Sequence, residues 1–385
     1  MNYFRYVIIN IIGTLLRGFP LPCKTGLRII GNPNRNSPVF LTCNFTVTVE
    51  RVKKALQGMD AYLLVANSKG DNVWCSATGG HFTNHSVISV IKTSGIEELV
   101  DHRNVVLPQL AATGIQERII RKKTGWKAIW GPVYAKDIPE FVENHFDKTP
   151  EMRQVEFPLT QRLEMAIMWA FPFSIIASLL VLPFKPTLFF PLNIIIWGWS
   201  LFLFIAFPLY SKWYGRNKKT SGFSKCTVIF DLGFVPVVTW IIFMIILVAG
   251  SIAFHQFHID FIIGWGITSL AVLLLISIDL MGSTPIYKSG LHEDRYLKVI
   301  LNSDKCKGAA SCEAVCPKNC FDVKQGRSAS IPRLDECVQC GACIVQCPFD
   351  ALYFESPKGE ILTPESIREY KLNLIGKRLV KVNKQ

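Results

Sequence analysis

The chain has 385 residues, of which 50% are hydrophobic and 18% are charged, and its net charge at pH 7 is +13. Its mean hydropathy of +0.28 is too high for an ordinary soluble protein of this length, so we expect part of it to lie in a lipid bilayer. The sequence has neither long basic runs nor basic residues interleaved with aromatic ones, which argues against a nucleic-acid partner.

Residues 1–36 are predicted to form an N-terminal surface segment. Arg5 precedes an apolar run from Tyr6 to Leu16, which would also suit a signal peptide, but no small-residue cleavage site follows the run. We therefore expect an amphipathic segment that lies at the membrane surface.

Residues 37–157 alternate strand-like and helix-like runs. The strand-like runs are 39–49, 61–66, 105–107 and 128–129, and the helix-like runs are 51–57, 85–93, 115–123 and 138–146. This alternation predicts an α/β domain with a mostly parallel sheet. The absence of a G-x-G-x-x-G or Walker A sequence argues against a dinucleotide or a nucleoside triphosphate as its ligand.

Residues 158–285 are predicted to form a transmembrane domain of four helices, at 163–183, 187–209, 228–253 and 259–281. The middle connection holds five basic residues, Lys212, Arg216, Lys218, Lys219 and Lys225, whereas the two opposite connections hold only Lys185. The positive-inside rule then places both ends of the chain in the cytoplasm, which predicts a multi-pass protein of the cell inner membrane. Asp231 and Asp279 fall near the cytoplasmic ends of two spans, either at the interface or on a proton or ion path.

Eight of the twelve cysteines lie between Cys306 and Cys347, which favours metal ligation in a reducing compartment over disulfides. Residues 286–360 are therefore predicted to form an α+β, bacterial ferredoxin-like domain with two clusters, followed by a basic tail at 361–385. The run Cys337-x2-Cys340-x2-Cys343-x3-Cys347-Pro is the bacterial ferredoxin motif, whose fourth cysteine ligates the other cluster. A zinc site would instead use two separated pairs.

The upstream motif is Cys306-x5-Cys312-x3-Cys316-Pro, with Ala309 where a further cysteine is expected. Crossed ligation divides the cysteines into a complete set for one 4Fe-4S cluster and an incomplete set of three. The complete set is Cys316, Cys337, Cys340 and Cys343, and the incomplete set is Cys306, Cys312 and Cys347. The incomplete set resembles that of archaeal seven-iron ferredoxins, which implies a 3Fe-4S cluster. The alternative is a 4Fe-4S cluster completed by Cys320.

The segment from Asn72 to His81, NVWCSATGGH, places the Cys75 thiol beside an indole and just ahead of two glycines. Glycines allow a backbone to approach a bulky planar ligand closely. The plain alternative is that Cys75 is a buried structural cysteine.

This segment, together with residues 95–115 and 124–142, resembles the corrinoid-binding domain of two proteins. They are the mercury-methylating corrinoid membrane protein and the corrinoid iron-sulfur protein of the acetyl-CoA pathway. The resemblance covers about residues 37–157, and the order of soluble domain and membrane helices also resembles the mercury-methylating protein. The family's separate two-cluster ferredoxin partner is here fused at the C-terminus.

The family motif N-V-W-C-A-A/G-G-K implies that Cys75 is the lower axial ligand of cobalt. It also implies that the lower face of the corrin ring is lined by Asn72, Val73, Trp74, Thr78, Gly79 and Gly80. The sequence departs from the motif at Ser76, Ala77 and Thr78, and a glycine followed by His81 replaces the lysine. His81 or His85 is an alternative axial ligand or proton donor.

The resemblance implies a membrane-bound corrinoid iron-sulfur protein that transfers a methyl group through cobalt, with electrons from the fused ferredoxin domain. Its partners would be the lipid bilayer, a cytoplasmic electron donor, and a methyl donor that is a protein or a small molecule. The acceptor stays open, and mercury(II) is one candidate. The alternative is a membrane electron-transfer protein without corrinoid that feeds a quinone or a partner subunit. In a third interpretation the α/β domain is only a docking module.

Overall fold

The computed structural model describes residues 3–211, 234–255, 257–277, 297–324, 326–356, 359–371 and 380–381. Within these ranges the chain forms an α/β domain, a group of apolar helices and a ferredoxin-like module, so the predicted multidomain organisation is confirmed at this level. Asp231, Asp279 and the five basic residues of the predicted middle connection lie outside the described residues.

The α/β domain is built on a five-stranded sheet in the order β1-β3-β2-β4-β5. Its strands are β1 Gly26–Ile30, β2 Val39–Cys43, β3 Ala61–Ala66, β4 Asn104–Leu107 and β5 Lys127–Trp130. Strands β2 to β5 pair in parallel and β1 pairs antiparallel to β3, which confirms the mostly parallel sheet. Every residue of β2 and β3 is buried, as expected for central strands covered on both faces.

Helices and short 3-10 turns connect the strands. They are α1 Tyr3–Leu15, α2 Thr46–Ala55, α3 Val73–Gly79, α4 Asn84–Thr93, α5 Ile96–Leu99, the 3-10 turn Gln109–Thr113, α6 Glu117–Thr124, the 3-10 turn Ala135–Asp137, α7 Ile138–Glu143 and α8 Pro150–Arg153.

Two sequence expectations need correction here. The run 39–49 is a strand only to Cys43, because Thr46 already begins α2, where Val47 and Val49 face the core. The segment 1–36 is not wholly outside the α/β fold, since β1 pairs with β3 along the sheet edge.

The membrane-type helices are α9 Leu159–Val181, the 3-10 turn Pro186–Leu188, α10 Phe189–Ile205, α11 Phe207–Tyr210, α12 Phe234–Ala253 and α13 Ile259–Ser277. Among the described residues, three stretches are long and apolar enough to cross a membrane, at Leu159–Val181, Pro186–Ile205 and Ile259–Ile276. The apolar stretch Val238–Ala253 of α12 is shorter, so the fourth span stays a prediction.

The ferredoxin-like module combines a small antiparallel sheet with two short helices. Its elements are β6 Lys298–Leu301, α14 Ser311–Val315, the 3-10 turn Leu334–Glu336, α15 Ala342–Gln346, β7 Leu352–Glu355, β8 Ile361–Leu362, α16 Pro364–Glu369, β9 Tyr370–Lys371 and β10 Val380–Lys381. Strand β7 pairs with β6 and β8, and β9 pairs with β10.

The predicted boundary at residue 360 is wrong, because part of the expected tail belongs to the module. Strand β8 extends its sheet, and Ile367 of α16 is fully buried in its core. Arg368, also buried, donates to the carbonyl oxygens of Ile344 and Cys347 at 3.2 Å and pairs with Asp350. These bonds satisfy carbonyl groups in the last turn of α15.

The α/β domain is joined to the first long apolar helix through Glu164. This carboxylate, on α9, pairs with Arg17 just after α1 and with Arg51 of α2. Arg51 also donates from Nε to Asn10 of α1 at 2.9 Å. One acidic side chain therefore fastens the N-terminal helix and the α/β domain to α9.

Candidate functional site

The carboxyl ends of the parallel strands meet at one edge of the sheet, which is where α/β proteins bind ligands. Helix α3 follows β3 at this edge and the 3-10 turn Gln109–Thr113 follows β4. Asn44, directly after β2, accepts the backbone N–H groups of Ser68 at 2.8 Å and Gly70 at 3.0 Å with Oδ1. This buried amide fixes the shape of the loop that leads into α3.

Asn72 caps α3 and at the same time holds Cys75. Its Oδ1 accepts the backbone N–H of Cys75 at 2.9 Å, and its Nδ2 lies 3.3 Å from the Cys75 sulfur, towards which it donates. The cap satisfies a backbone donor that the helix would otherwise leave open. A hydrogen-bond donor directed at the sulfur suits a metal-bound thiolate, because the thiolate is the form of cysteine that binds metals.

Cys75 and Gly79 lie one helical turn apart on the exposed face of α3. A Cβ built on Gly79 would meet no heavy atom of the described residues within 4 Å, so internal packing does not demand a glycine there. Gly80 differs, because its φ of 80° at the C-cap requires the left-handed region. The thiol thus stands beside an open stretch of the helix surface.

The opposite face of α3 rests on the segment after β4. A Cβ on Gly114 would lie 2.5 Å from the carbonyl oxygen of Ala77, so only glycine permits this approach. Ser76 and Ala77 are fully buried there. This contact fixes the position of α3, and with it that of Cys75, at the sheet edge.

The remaining predicted residues of the motif have different surroundings. Val73 packs against the core of the domain, and the Thr78 hydroxyl donates to the Trp74 carbonyl at 2.8 Å. The His81 Nδ1 lies 2.7 Å from the Asp71 carboxylate. This His–Asp pair joins the two residues that flank α3 and was not predicted from the sequence, whereas His85 is exposed on α4.

The assignment of the cysteines to two clusters stays a prediction, and the structure describes the surroundings of their thiols. Cys306, Cys312 and Cys347 line one small cavity together with Ala309, where the incomplete set lacks a thiol. Backbone N–H groups donate to the sulfurs of Cys306, Cys316, Cys337 and Cys347 at 3.3 to 3.4 Å. Such bonds stabilise cluster thiolates and tune cluster potentials, so the residues present fit iron-sulfur clusters.

Burial and crowding raise the pKa of several of these thiols. Burial raises the pKa of Cys312 to about 12, and burial together with the neighbouring Cys340 and Cys337 raises that of Cys343 well above its usual value. Burial also acts on Cys306, but the backbone N–H groups of Ala329 and Gly308 outweigh it and lower its pKa. Bound iron would offset these costs, because metal binding couples to thiol deprotonation.

Cys320 lies with the complete set. Its backbone N–H donates to Cys316 Sγ at 3.3 Å, and hydrogen bonds to the sulfurs of Cys316 and Cys337 raise the pKa of its thiol. The bond from the Cys320 thiol in turn lowers the pKa of Cys316 to about 7. This position disfavours Cys320 as the missing ligand of the incomplete set.

The ferredoxin-like module contacts the same sheet edge as α3. Ala112 packs against Val315 and Ala342, and Trp130 and Cys340 border this apolar contact. The polar residues of the contact, Lys148, Arg153 and Gln346, were missed by the sequence analysis. Gln346 occupies an unspecified position of a cysteine motif and Lys148 follows a helix end, so no spacing rule could indicate them.

The structure combines an α/β domain, which has an exposed cysteine at the carboxyl edge of its sheet, with a ferredoxin-like module that carries two predicted sets of cysteines. Residues 17–142 match the family described as CO dehydrogenase/acetyl-CoA synthase delta subunit, and residues 332–353 match the family described as 4Fe-4S binding domain. The chain thus contains a domain homologous to that first family, joined to an iron-sulfur domain.

Three relatives illustrate this similarity. The acetyl-CoA decarbonylase/synthase complex subunit gamma of Archaeoglobus fulgidus is 38% identical over 129 residues, or 33% of this chain and 27% of the relative. Its counterpart in Methanocaldococcus jannaschii is 35% identical over 131 residues, 34% of this chain and 26% of the relative. The corrinoid/iron-sulfur protein large subunit of Moorella thermoacetica is 28% identical over 124 residues, 32% of this chain and 27% of the relative. The chain spans about a quarter of the length of these curated relatives.

Proposed function

We propose that this chain is a membrane-bound corrinoid iron-sulfur protein in which α3 holds a corrinoid and the ferredoxin-like module supplies electrons to it. The observation that carries the proposal is the exposed Cys75, held by Asn72 and flanked on its helix face by the open Gly79. The similarity to a corrinoid/iron-sulfur protein large subunit supports the corrinoid as the ligand.

A bound corrinoid would supply a cobalt ion that takes up a methyl group and passes it on. The chain's own residues would position it. Cys75 provides a sulfur ligand, Asn72 orients that sulfur and donates to it, and Gly79 leaves room for the ring. The Asp71–His81 pair lies in the loops at the two ends of α3 and would hold or move a proton close to the ligand.

The methyl donor is proposed to be a protein or a small molecule, and the acceptor is not assigned. Mercury(II) is one candidate acceptor, suggested by the resemblance to the mercury-methylating membrane protein. The altered residues Ser76, Ala77 and Thr78 and the missing lysine weaken that candidate more than they weaken the corrinoid, because Cys75 is retained.

The membrane location rests on the three long apolar helices, whose outer surfaces expose side chains such as Leu179, Phe190 and Ile267. We propose a four-span domain in the inner membrane with both soluble parts in the cytoplasm, where a reduced electron donor is available. Labelling of cysteines engineered at exposed positions such as Lys127 and Lys324 tests this topology in intact cells. Labelling of the two sites on opposite faces would contradict it.

The direct test is to purify the protein from cells supplied with cobalamin and to quantify cobalt and iron on one sample. We expect both metals, with loss of the sulfur-ligated cobalt spectrum in Cys75→Ala. Cys23→Ala is the matched control, since Cys23 is a half-buried cysteine of the same domain that packs on the other face of the sheet. Absence of cobalt and of corrinoid absorbance from the wild-type protein would refute the proposal.

One observation favours the alternative of a membrane electron-transfer protein without corrinoid. A cavity of about 240 Å³ lies between α9, α10 and α13, lined wholly by apolar side chains such as Phe173, Leu192 and Val272. Such a surface suits the chain of a quinone. Quinone reduction that persists unchanged in Cys75→Ala would favour this function over methyl transfer.

A further inference from the structure

Both short helices of the ferredoxin-like module, each of which carries a cysteine, contact the α/β domain. Helices α14 and α15 each contact the 3-10 turn Gln109–Thr113. At its centre Ala112, Val315 and Ala342 have at most 2% of their surface exposed. Closely packed small apolar side chains bring the two backbones together, so the module is seated directly on the sheet edge.

Gln346, in the last turn of α15, makes hydrogen bonds across this contact. Its Nε2 donates to the carbonyl oxygens of Ala112 at 2.7 Å and Ile115 at 2.5 Å, and its Oε1 accepts the backbone N–H of Glu117 at 3.3 Å. One side chain thus satisfies three backbone groups of the neighbouring domain. Buried amide and carbonyl groups left without such partners would cost free energy.

Lys148 bridges the two parts at a second point. Its Nζ donates to Gln109 Oε1 at 2.5 Å, to the Gly131 carbonyl at 3.1 Å and to the Ala314 carbonyl of α14 at 2.7 Å. These three oxygens give the amine acceptors for its N–H groups, while burial and the nearby Arg153 lower the pKa of Lys148 well below its usual value. Arg153 and Glu313 form an ion pair of 3.1 Å across the same boundary.

We propose that segment 109–117 is a fixed wall through which an electron passes from the complete set to the metal held at Cys75, with Gln346 as the positioning residue. Helix α15 lies on one side of this wall and α3 on the other, where Gly114 touches Ala77. Cys340 of the complete set borders the apolar contact at Ala112. A reduced cluster held by these cysteines would supply one electron, and a metal held at Cys75 would be its acceptor, so the electron count balances. The acceptor in this inference rests on the proposed function, whereas the docking does not.

The docking is tested first on cluster-loaded, corrinoid-free protein by amide hydrogen exchange. Gln346→Glu replaces the donating amide with a carboxylate oxygen that faces two carbonyl oxygens, so we expect exchange in 109–117 to accelerate about tenfold or more. Gln57→Glu is the matched control, because Gln57 is exposed far from the contact. Iron content and the cluster EPR spectra verify that the module still folds. Equal exchange of 109–117 in the wild type and the variant would overturn the docking.

The route is tested on corrinoid-loaded protein by stopped-flow absorbance after mixing with a chemical reductant. In Gln346→Glu we expect cluster reduction at the wild-type rate and cobalt reduction slowed about tenfold or more, since the loosened contact no longer fixes the path. Cobalt reduction at the wild-type rate, despite faster exchange of 109–117, would overturn the route. A wild-type protein that takes up no corrinoid would overturn the acceptor and the proposed function, while the exchange result would still report on the docking.

Discussion

Substitution of Gly79 by alanine separates a ligand-binding role of α3 from a structural one. It should raise the stability of the protein while it lowers the affinity for a corrinoid. The added methyl group would meet no heavy atom of the described residues within 4 Å, and Gly79 is the last residue of a helix. Alanine is the better helix former, so we expect the protein to gain roughly 0.5–1 kcal/mol of stability. If a corrin ring lies on this face, the same methyl group overlaps it, at a cost of roughly 1–3 kcal/mol.

That cost corresponds to a loss of corrinoid affinity of about fivefold to 150-fold. The assay is titration of the cluster-loaded protein in detergent with cobalamin, followed by absorbance, alongside thermal unfolding by circular dichroism. Gly264→Ala on α13 is the control, since its Cβ likewise meets no described heavy atom within 4 Å but it lies in an apolar helix. Unchanged affinity in Gly79→Ala would mean that the corrinoid does not contact this face of α3.

Four further substitutions test the supporting contacts. Gly114→Ala should destabilise the α3 contact by roughly 1–3 kcal/mol, because its Cβ would lie 2.5 Å from the Ala77 carbonyl; thermal unfolding and corrinoid uptake measure this. Glu164→Gln should loosen α1 and expose it to protease, as it leaves two arginines without their carboxylate. Cys320→Ala should leave the EPR signal of the incomplete set unchanged and alter that of the complete set. Arg368→Met should reduce iron content, because three carbonyl groups of the module lose their donor.

Local patterns predicted the elements wherever the sequence period and the packing agree. The strand at 61–66 and the helix at 85–93 are found almost as expected, since β3 is central and α4 has one apolar face. The pattern failed at Thr46-Val47-Thr48-Val49, where β-branched residues suggest a strand. There the burial of Val47 and Val49 against the sheet outweighs their weak preference against helix.

Spacing predicts the cluster ligands, which stay a prediction, but it did not indicate the limits of their module. The division into complete and incomplete sets follows from the cysteine motifs alone, because crossed ligation is a property of the ferredoxin repeat. The C-terminal extension was missed because Ile367 and Arg368 are single residues in a polar, basic segment. Only the three-dimensional structure brings Arg368 against the carbonyl groups of α15.

The contact of α3 and of the ferredoxin-like module with one segment at the sheet edge could not be predicted from motifs, yet the topology explains it. Strands β3 and β4 both pair in parallel with β2, and β5 pairs in parallel with β4. The segments that follow these strands therefore emerge at the same edge of the sheet. The segment after β3 carries Cys75, the one after β4 forms the wall at 109–117, and Gly131 after β5 accepts from Lys148. The segment after β4 contacts α3 on one side and the ferredoxin-like module on the other. This shared contact is a consequence of strand order, which the spacing of residues along the chain does not reveal.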